Sequence, residues 1–246
     1  MKAMILAAGL GTRLRPLTNH IPKALVPVGG TPMIEIILRR LKNAGFREVI
    51  INLHYLADQI VDFIKKNDRF GMAIEFSDES DQLLDTGGAI KKASWFLDAD
   101  EPFLLHNVDE ITDINLKDMF NFHQQKSALV SLAVKKTGIP QGLLFDEQMM
   151  LGGWENTATG QQGILDSKKN KTLSHYGFCG IHIISSGIFS YMDQKEKFPI
   201  IPFYLDLASL GKRIIGYHAE KNIWIDIGSH EQLDEANKLD PGMYNG

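Results

Sequence analysis

The chain has 246 residues, of which 44% are hydrophobic and 23% charged, and its formal net charge is −4. That balance suits one α/β domain with a substantial core, or one domain with a small insertion, and it leaves no basic footprint for nucleic acid. No uncharged apolar run is long enough to span a membrane, and the lone Cys179, in an apolar stretch, reads as a core residue with no disulfide partner.

Met1–Ala7 is an apolar strand that runs straight into glycines. The beginning therefore reads as part of the fold rather than a removable signal peptide, and a cytoplasmic protein is expected. Thr31–Ala44 carries Ile34, Ile37, Leu38 and Leu41 at helical spacing and stops at Gly45. Glu48–Leu53 is a buried strand, Ala57–Lys66 a helix and Ala73–Phe76 a third strand. Thr86–Leu97 is a helix opening on Gly87 and Gly88. Pro102–Asn107 is a strand aimed at Asp109, Leu116–Lys126 a helix and Ala128–Lys135 a strand. Trp95, Phe96 and Phe103 are expected in the helix-on-sheet core.

This alternation predicts an α/β, Rossmann-like, mostly parallel sheet with helices on both faces. The pattern changes after Lys135. Gly142–Trp154 reads as a hairpin turning over Glu147-Gln148, and the polar stretch Glu155–Lys171 as an exposed loop with solvated Lys168, Lys169 and Lys171. His175–Ile184 returns as a core strand. Phe203–Leu210 is a short helix, Lys212–Tyr217 a strand, and Ser229–Lys238 a last helix with Ser229 as its cap. The expected organisation is one domain over 1–246 with an inserted hairpin and loop lobe at about 138–175.

Residues 7 to 27 carry the first chemical signal. The strand ends in Ala7-Ala8-Gly9-Leu10-Gly11-Thr12-Arg13, and glycines let bare backbone N–H groups approach an anion. Ten residues past Arg13, Lys23 is set between Pro22 and Pro27. Two fixed cations beside exposed amides suit several negative charges in a row, as in a nucleoside triphosphate. The spacing is neither a dinucleotide fingerprint, since Leu14 stands where a third glycine belongs, nor a P-loop, since Gly11-Thr12-Arg13 is not Gly-Lys-Ser/Thr.

Asp109 and Asp226 supply the second signal. Each follows a short apolar run, Phe103-Leu104-Leu105 and Trp224-Ile225, and ligands of open α/β sheets bind at the carboxyl ends of strands. Two carboxylates meeting there make a hard-oxygen site suited to Mg²⁺. Taken singly, each also reads as a turn aspartate or a helix cap, and Gly87-Gly88 as a glycine-started helix. His54 and His106, with no second ligand at metal spacing, read as structural or polar-pocket residues.

The run Ala7 to Arg13, then Pro16, Pro22-Lys23, the stretch Pro27 to Glu35, Asp85 to Ala89, Asn107-Val108-Asp109 and Trp224 to Ser229 together resemble the signature of sugar-1-phosphate nucleotidylyltransferases. Spacing and chain length look most like the N-acetylmuramate-1-phosphate uridylyltransferase branch. The resemblance implies that a sugar 1-phosphate oxygen attacks the α-phosphorus of a nucleoside triphosphate, UTP by branch, and that pyrophosphate leaves. The attacking monoester has a second pKa of about 6, so it is mostly dianionic and needs no general base.

By the same resemblance, Arg13 holds the β/γ end, Lys23 reaches the α-phosphate, and Asp109 and Asp226 carry Mg²⁺ between the two substrates. Ala7, Ala8, Gly9, Gly11, Thr12, Thr86, Gly87, Gly88 and Asn107 contact the nucleotide, and Glu155 is expected on the sugar side; Trp224 reads equally as a residue flanking the sugar and as a core tryptophan. Two departures stand out. The family usually has glycine at the position of Val108, where valine adds bulk beside the metal. Many relatives also pair Glu with Lys on the sugar side, where this chain has Glu155-Asn156.

Guanylyl or cytidylyl transfer, to phosphocholine or heptose phosphate among other acceptors, shares these motifs. A regulatory subunit that binds nucleotide sugar without turnover would have lost Arg13, Lys23, Asp109 or Asp226, and all four are present. A pterin-handling nucleotidyltransferase fits the PVGGTPMIE segment less well than the sugar enzymes do.

Overall fold

Alternating burial along the strands decides the layers of this fold. In the computed structural model, which describes residues 1–192 and 195–240, β1 (Lys2–Leu6) sends Ala3 and Ile5 into one core and Met4 into another. Successive side chains of a strand point to opposite faces, so an unbroken apolar run needs cover on both sides. Helices supply that cover.

After β1 come the two-residue strands β2 (Pro27–Val28) and β3 (Thr31–Pro32), then α1 (Met33–Asn43), β4 (Glu48–Leu53), α2 (Ala57–Lys66) and β5 (Ala73–Asp78). The chain continues through α3 (Asp85–Lys92), α4 (Ser94–Leu97), β6 (Phe103–Asn107), β7 (Glu110–Thr112), α5 (Leu116–Lys126) and β8 (Val130–Lys135). Next are β9 (Gln141–Phe145), β10 (Leu151–Asn156), β11 (Gln161–Ile164) and β12 (Ser174–Ile184). The described chain closes with α6 (Ile200–Ser209), β13 (Ile214–His218), β14 (Trp224–Asp226) and α7 (His230–Ala236).

Among the described residues a 10-stranded sheet runs β11-β10-β9-β12-β6-β1-β4-β5, with β8 and β13 joined through β12. The half containing β6, β1, β4 and β5 is parallel. One core lies under α1, α2 and α5, with Ile37, Leu41, Ile60, Ile64 and Phe120 against Val49, Ile51 and Leu104. The opposite core gathers Ala89, Ile90, Ile200, Tyr204 and Leu207 from α3 and α6 over Met4, Ile50 and Leu105. The expected α/β Rossmann-like sheet with helices on both faces is what the chain forms.

A third, smaller core matters more for the site. Leu14, Val26, Val28, Met33 and Ile36 pack with Ile111, Ile225, Ile227 and Leu233. It clamps the loops after β1 onto the two-stranded ladder of β7 and β14 and onto α7. Ser229 caps α7 as expected, its side chain accepting the Gln232 N–H.

Several elements depart from expectation. The stretch expected as a polar loop from 155 to 171 continues β10 and adds β11. Its turn is made by Asn156, whose side chain accepts the N–H groups of Ala158 and Thr159, and by Gly160 at φ +70°. Polar composition there marks an exposed hairpin rather than irregular chain. Lys168 is not solvated: it pairs with Asp146 at 2.6 Å. The helix expected over 86–97 breaks at Ala93 into α3 and α4, which leaves Trp95 65% exposed while Phe96 and Phe103 stay buried. The helix expected from Phe203 starts at Ile200, because Pro202 in a first turn forfeits no intrahelical bond.

Two buried histidines have their pKa values depressed by loss of water. His123, between Ser131 Oγ and Ser185 Oγ, lies at about 4, and His182, bonded to Tyr204 Oη at 2.9 Å, at about 3. The unfolded chain takes up these protons near 6.5, before the folded one does. Their contribution to stability is therefore full above about pH 6.5 and is lost as pH drops toward about 4 for His123 and about 3 for His182. Urea midpoints should decline over that window, and a His123→Gln/His182→Gln double variant should flatten the decline.

Candidate active site

The glycine turn after β1 is shaped by contacts that a side chain would prevent. Gly11 has φ +61°, and a Cβ on it would lie 2.9 Å from Thr18 Cγ2 and 3.2 Å from Lys23 Cβ. The Thr18 hydroxyl donates to the Gly11 carbonyl at 2.7 Å. Gly11 thus lets the Lys23 stem approach the turn. A Cβ on Gly9, by contrast, would meet nothing within 4 Å. Its backbone faces open space.

That space is a cleft of about 560 Å³. Ala8, Gly9, Gly11, Thr12, Arg13, Lys23, Thr86, Asn107, Val108 and Asp109 line it, joined by Asn52, Glu79, Asp85 and Gly228. Of the residues expected to contact nucleotide, Ala7, Gly87 and Gly88 are outside the lining. The Ala7 N–H is taken by Asn52 Oδ1 at 2.7 Å; Asn52 donates in turn to Glu79, which also accepts the Leu84 N–H. This buried chain of bonds ties the ends of β1, β4 and β5 to the start of α3. Asn52 and Glu79 have no motif spacing that would have singled them out.

Gly87 and Gly88 press against the segment that leads into α6. Both N–H groups donate to the Phe198 carbonyl, at 2.9 and 3.3 Å. A Cβ on Gly87 would run into the Phe198 ring, and one on Gly88 into the Glu196 carbonyl. Thr86 accepts the first N–H of α6, from Ile200, at 2.9 Å.

Charge gathers at the end of β6. Lys23, 8% exposed, forms a close ion pair with Asp109 Oδ2. Arg13, on the 3-10 turn Thr12–Leu14, places Nη2 3.9 Å from Asp226 Oδ2 and packs over Gly228. Asp226 is the last residue of β14, which pairs with β7 rather than joining the main sheet. That ladder carries the Asp226 carboxylate back to Asp109. A third carboxylate, Glu110, opens β7 and was not anticipated. One oxygen from each of Asp109, Glu110 and Asp226 lies within 4.8 Å of the others.

Burial, reinforced by the Asp109 charge, raises the Asp226 pKa against the pull of Lys23 and Arg13. Burial lifts Glu110 well above the carboxylate range, helped by Asp109 and Asp226. His106 is held at about 4, chiefly by burial, with Nδ1 against its neighbour's carbonyl at Asn107. Asp226 Oδ1 is buried and has no hydrogen-bond partner. Hard oxygens converging with an unused lone pair fit a divalent cation.

The two residues expected on the sugar side are each held by a side-chain hydrogen bond. Glu155, on β10, accepts from His175 Nδ1 at 2.8 Å, and Trp224 donates its indole N–H to Glu110 Oε2 at 2.7 Å. Neither lines the cleft of Arg13 and Lys23.

The family described as Nucleotidyl transferase matches residues 2–143. The chain belongs to that family. It is 46% identical over 246 residues to the N-acetylmuramate alpha-1-phosphate uridylyltransferase of Neisseria meningitidis, covering 97% of this chain and 98% of that protein. A match of 34% over 153 residues to the UTP–glucose-1-phosphate uridylyltransferase of Synechocystis covers 58% of this chain and 39% of that protein. Crystalline HddC from Yersinia pseudotuberculosis superposes with a TM-score of 0.76 at 26% identity, covering 96% of this chain and 98% of the other. Among the described residues no helix is long and apolar enough to cross a membrane.

Gly88→Ala overpacks the contact with the Glu196 backbone and should destabilise the fold by about 1–3 kcal/mol. Chemical denaturation measures this, and an unchanged midpoint would show that the Glu196 segment yields freely.

Proposed function

We propose that this nucleotidyl transferase joins a nucleoside triphosphate, UTP first, to a sugar 1-phosphate, forming a nucleotide sugar and releasing pyrophosphate. The observation that carries the proposal is the meeting of Lys23 and Arg13 with Asp109 and Asp226 at the mouth of the glycine turn. The extended likeness to the Neisseria uridylyltransferase favours UTP and an N-acetylmuramate-type acceptor.

A sugar phosphate oxygen attacks the α-phosphorus, a new P–O–P link forms, and the bond to the β-phosphate breaks. Anion must approach anion, so fixed positive charge and alignment do most of the work. Lys23, buried and anchored by its turn, neutralises the α-phosphate. Arg13, with 65% of its side chain exposed, is free to follow the departing pyrophosphate end. The amides at Ala8, Gly9, Gly11 and Thr12 cradle phosphate and base, with Thr86 and Asn107 closing the cleft. Mg²⁺ held by Asp109 and Asp226 would screen the charge between the two substrates.

The proposed unit is one domain in which β9, β10 and β11 form the acceptor lobe. Glu155 in that lobe and Trp224 beside the carboxylates are its sugar-facing residues. Its site of action is the cytoplasm, where nucleoside triphosphates are available.

A pyrophosphate-release screen of four nucleoside triphosphates against a panel of sugar 1-phosphates tests the proposal. UTP with an amino-sugar 1-phosphate should give the highest kcat/KM; silence across the panel would refute it. Lys23→Ala and Asp109→Asn should each lower kcat by about 10²-fold or more while the fold persists. Chelation by EDTA should abolish turnover and added Mg²⁺ restore it.

A further inference from the structure

Glu110 has no part in the proposed function so far, yet its surroundings are specifically built. It follows Asp109 directly, opens β7 and is 6% exposed. Its Oε2 accepts the Trp224 indole N–H at 2.7 Å, and the Asn107 side chain is a second hydrogen-bond partner. Gly180 makes the room. It lies where the register of β12 against β8 shifts, with φ +71°, and a Cβ there would stand 2.5 Å from Glu110 Oε1 and 2.8 Å from Asn107 Nδ2. A left-handed glycine at a bulge is a standard way to open such a space.

The charge around Glu110 is unbalanced. Among the described residues, Lys23 pairs with Asp109 and Arg13 with Asp226, and no ion pair reaches Glu110. Its Trp224 and Asn107 partners are neutral donors. An ionised carboxylate buried without a countercharge is costly. The three acidic side chains offer one oxygen each within 4.8 Å of one another. Oxygens on opposite sides of a divalent ion stand about 4–5 Å apart, twice a bond of roughly 2.0–2.5 Å. One ion can touch all three, and the Asp226 carboxylate has a buried oxygen, Oδ1, with no hydrogen-bond partner.

We propose that Glu110 is a third carboxylate ligand of the divalent-cation site, bound directly to the ion beside Asp109 and Asp226. The proposal rests on the metal reading above and extends it. It gives Trp224 a fixed place relative to the ion, because one Glu110 oxygen holds the indole while the carboxylate faces the cluster.

The test is Mn²⁺ binding to the whole, nucleotide-free protein, read from the free-ion signal in electron paramagnetic resonance. Glu110→Gln keeps size and an acceptor for Trp224 but removes the charge. It should weaken Mn²⁺ binding by about tenfold or more, with unchanged circular dichroism. Wild-type affinity in this variant would overturn the proposal, leaving Glu110 as a hydrogen-bond acceptor for Trp224 alone. Asp226→Asn separates the two levels. If it loses Mn²⁺ and Glu110→Gln does not, only the third ligand falls; if neither loses it, the metal reading falls as well. Should Glu110→Gln fail to fold, Glu110→Asp keeps the charge but withdraws the oxygen by one methylene. The same loss of affinity then supports the proposal, and wild-type affinity refutes it.

Discussion

Like charge crowded at the end of β6 is the constraint around which this molecule is arranged. Two ionised carboxylates with oxygens within 4.8 Å of each other repel by about 3 kcal/mol or more at an effective dielectric of about 20. The fold holds three acidic side chains at that spacing. It does so with the β7–β14 ladder, which Ile111, Ile225 and Ile227 anchor in the smallest of the three cores. Apolar burial on one side of a short ladder thus stabilises a polar arrangement on the other. Lys23 and Arg13 offset part of the repulsion from across the cleft.

The two cations differ in a way that matches different tasks. Lys23 is buried, its turn set by the extended Pro22, its stem pressed against Gly11. A charge so fixed needs little reorganisation when a reaction develops beside it. Arg13 sits mostly in solvent at 3.9 Å from Asp226 and packs over Gly228, where no Cβ blocks it. An exposed guanidinium suits the polyphosphate end that must bind and leave. In the proposed reaction the buried charge serves the reacting phosphorus and the exposed one serves the leaving group.

The other wall of the cleft is organised by hydrogen bonds rather than ions. Asn52 and Glu79 link the ends of β1, β4 and β5 to the residue before α3. Buried polar chains of this kind rigidify when every member is satisfied. They leave the amides beyond Ala7 as the groups free to meet a ligand.

Much of this was readable from residue order alone. The apolar strand running into Gly9 and Gly11, the cations Arg13 and Lys23, and the strand-end aspartates Asp109 and Asp226 each carry a local signal, because backbone freedom, charge and hydrophobic period are properties of neighbouring residues. Tertiary structure alone decided what those signals could not reach. The surroundings of Gly87, Gly88 and Gly180 depend on residues far away in the chain, Phe198, Glu196 and Glu110, that press against them. Glu110 looked like one acidic residue beside another until the β7–β14 ladder brought Asp226 to it, and Glu155 found His175 only through the pairing of β9 with β10 and β12. Contacts between distant residues are set by how strands pair and how closely backbones approach, and no local pattern encodes either.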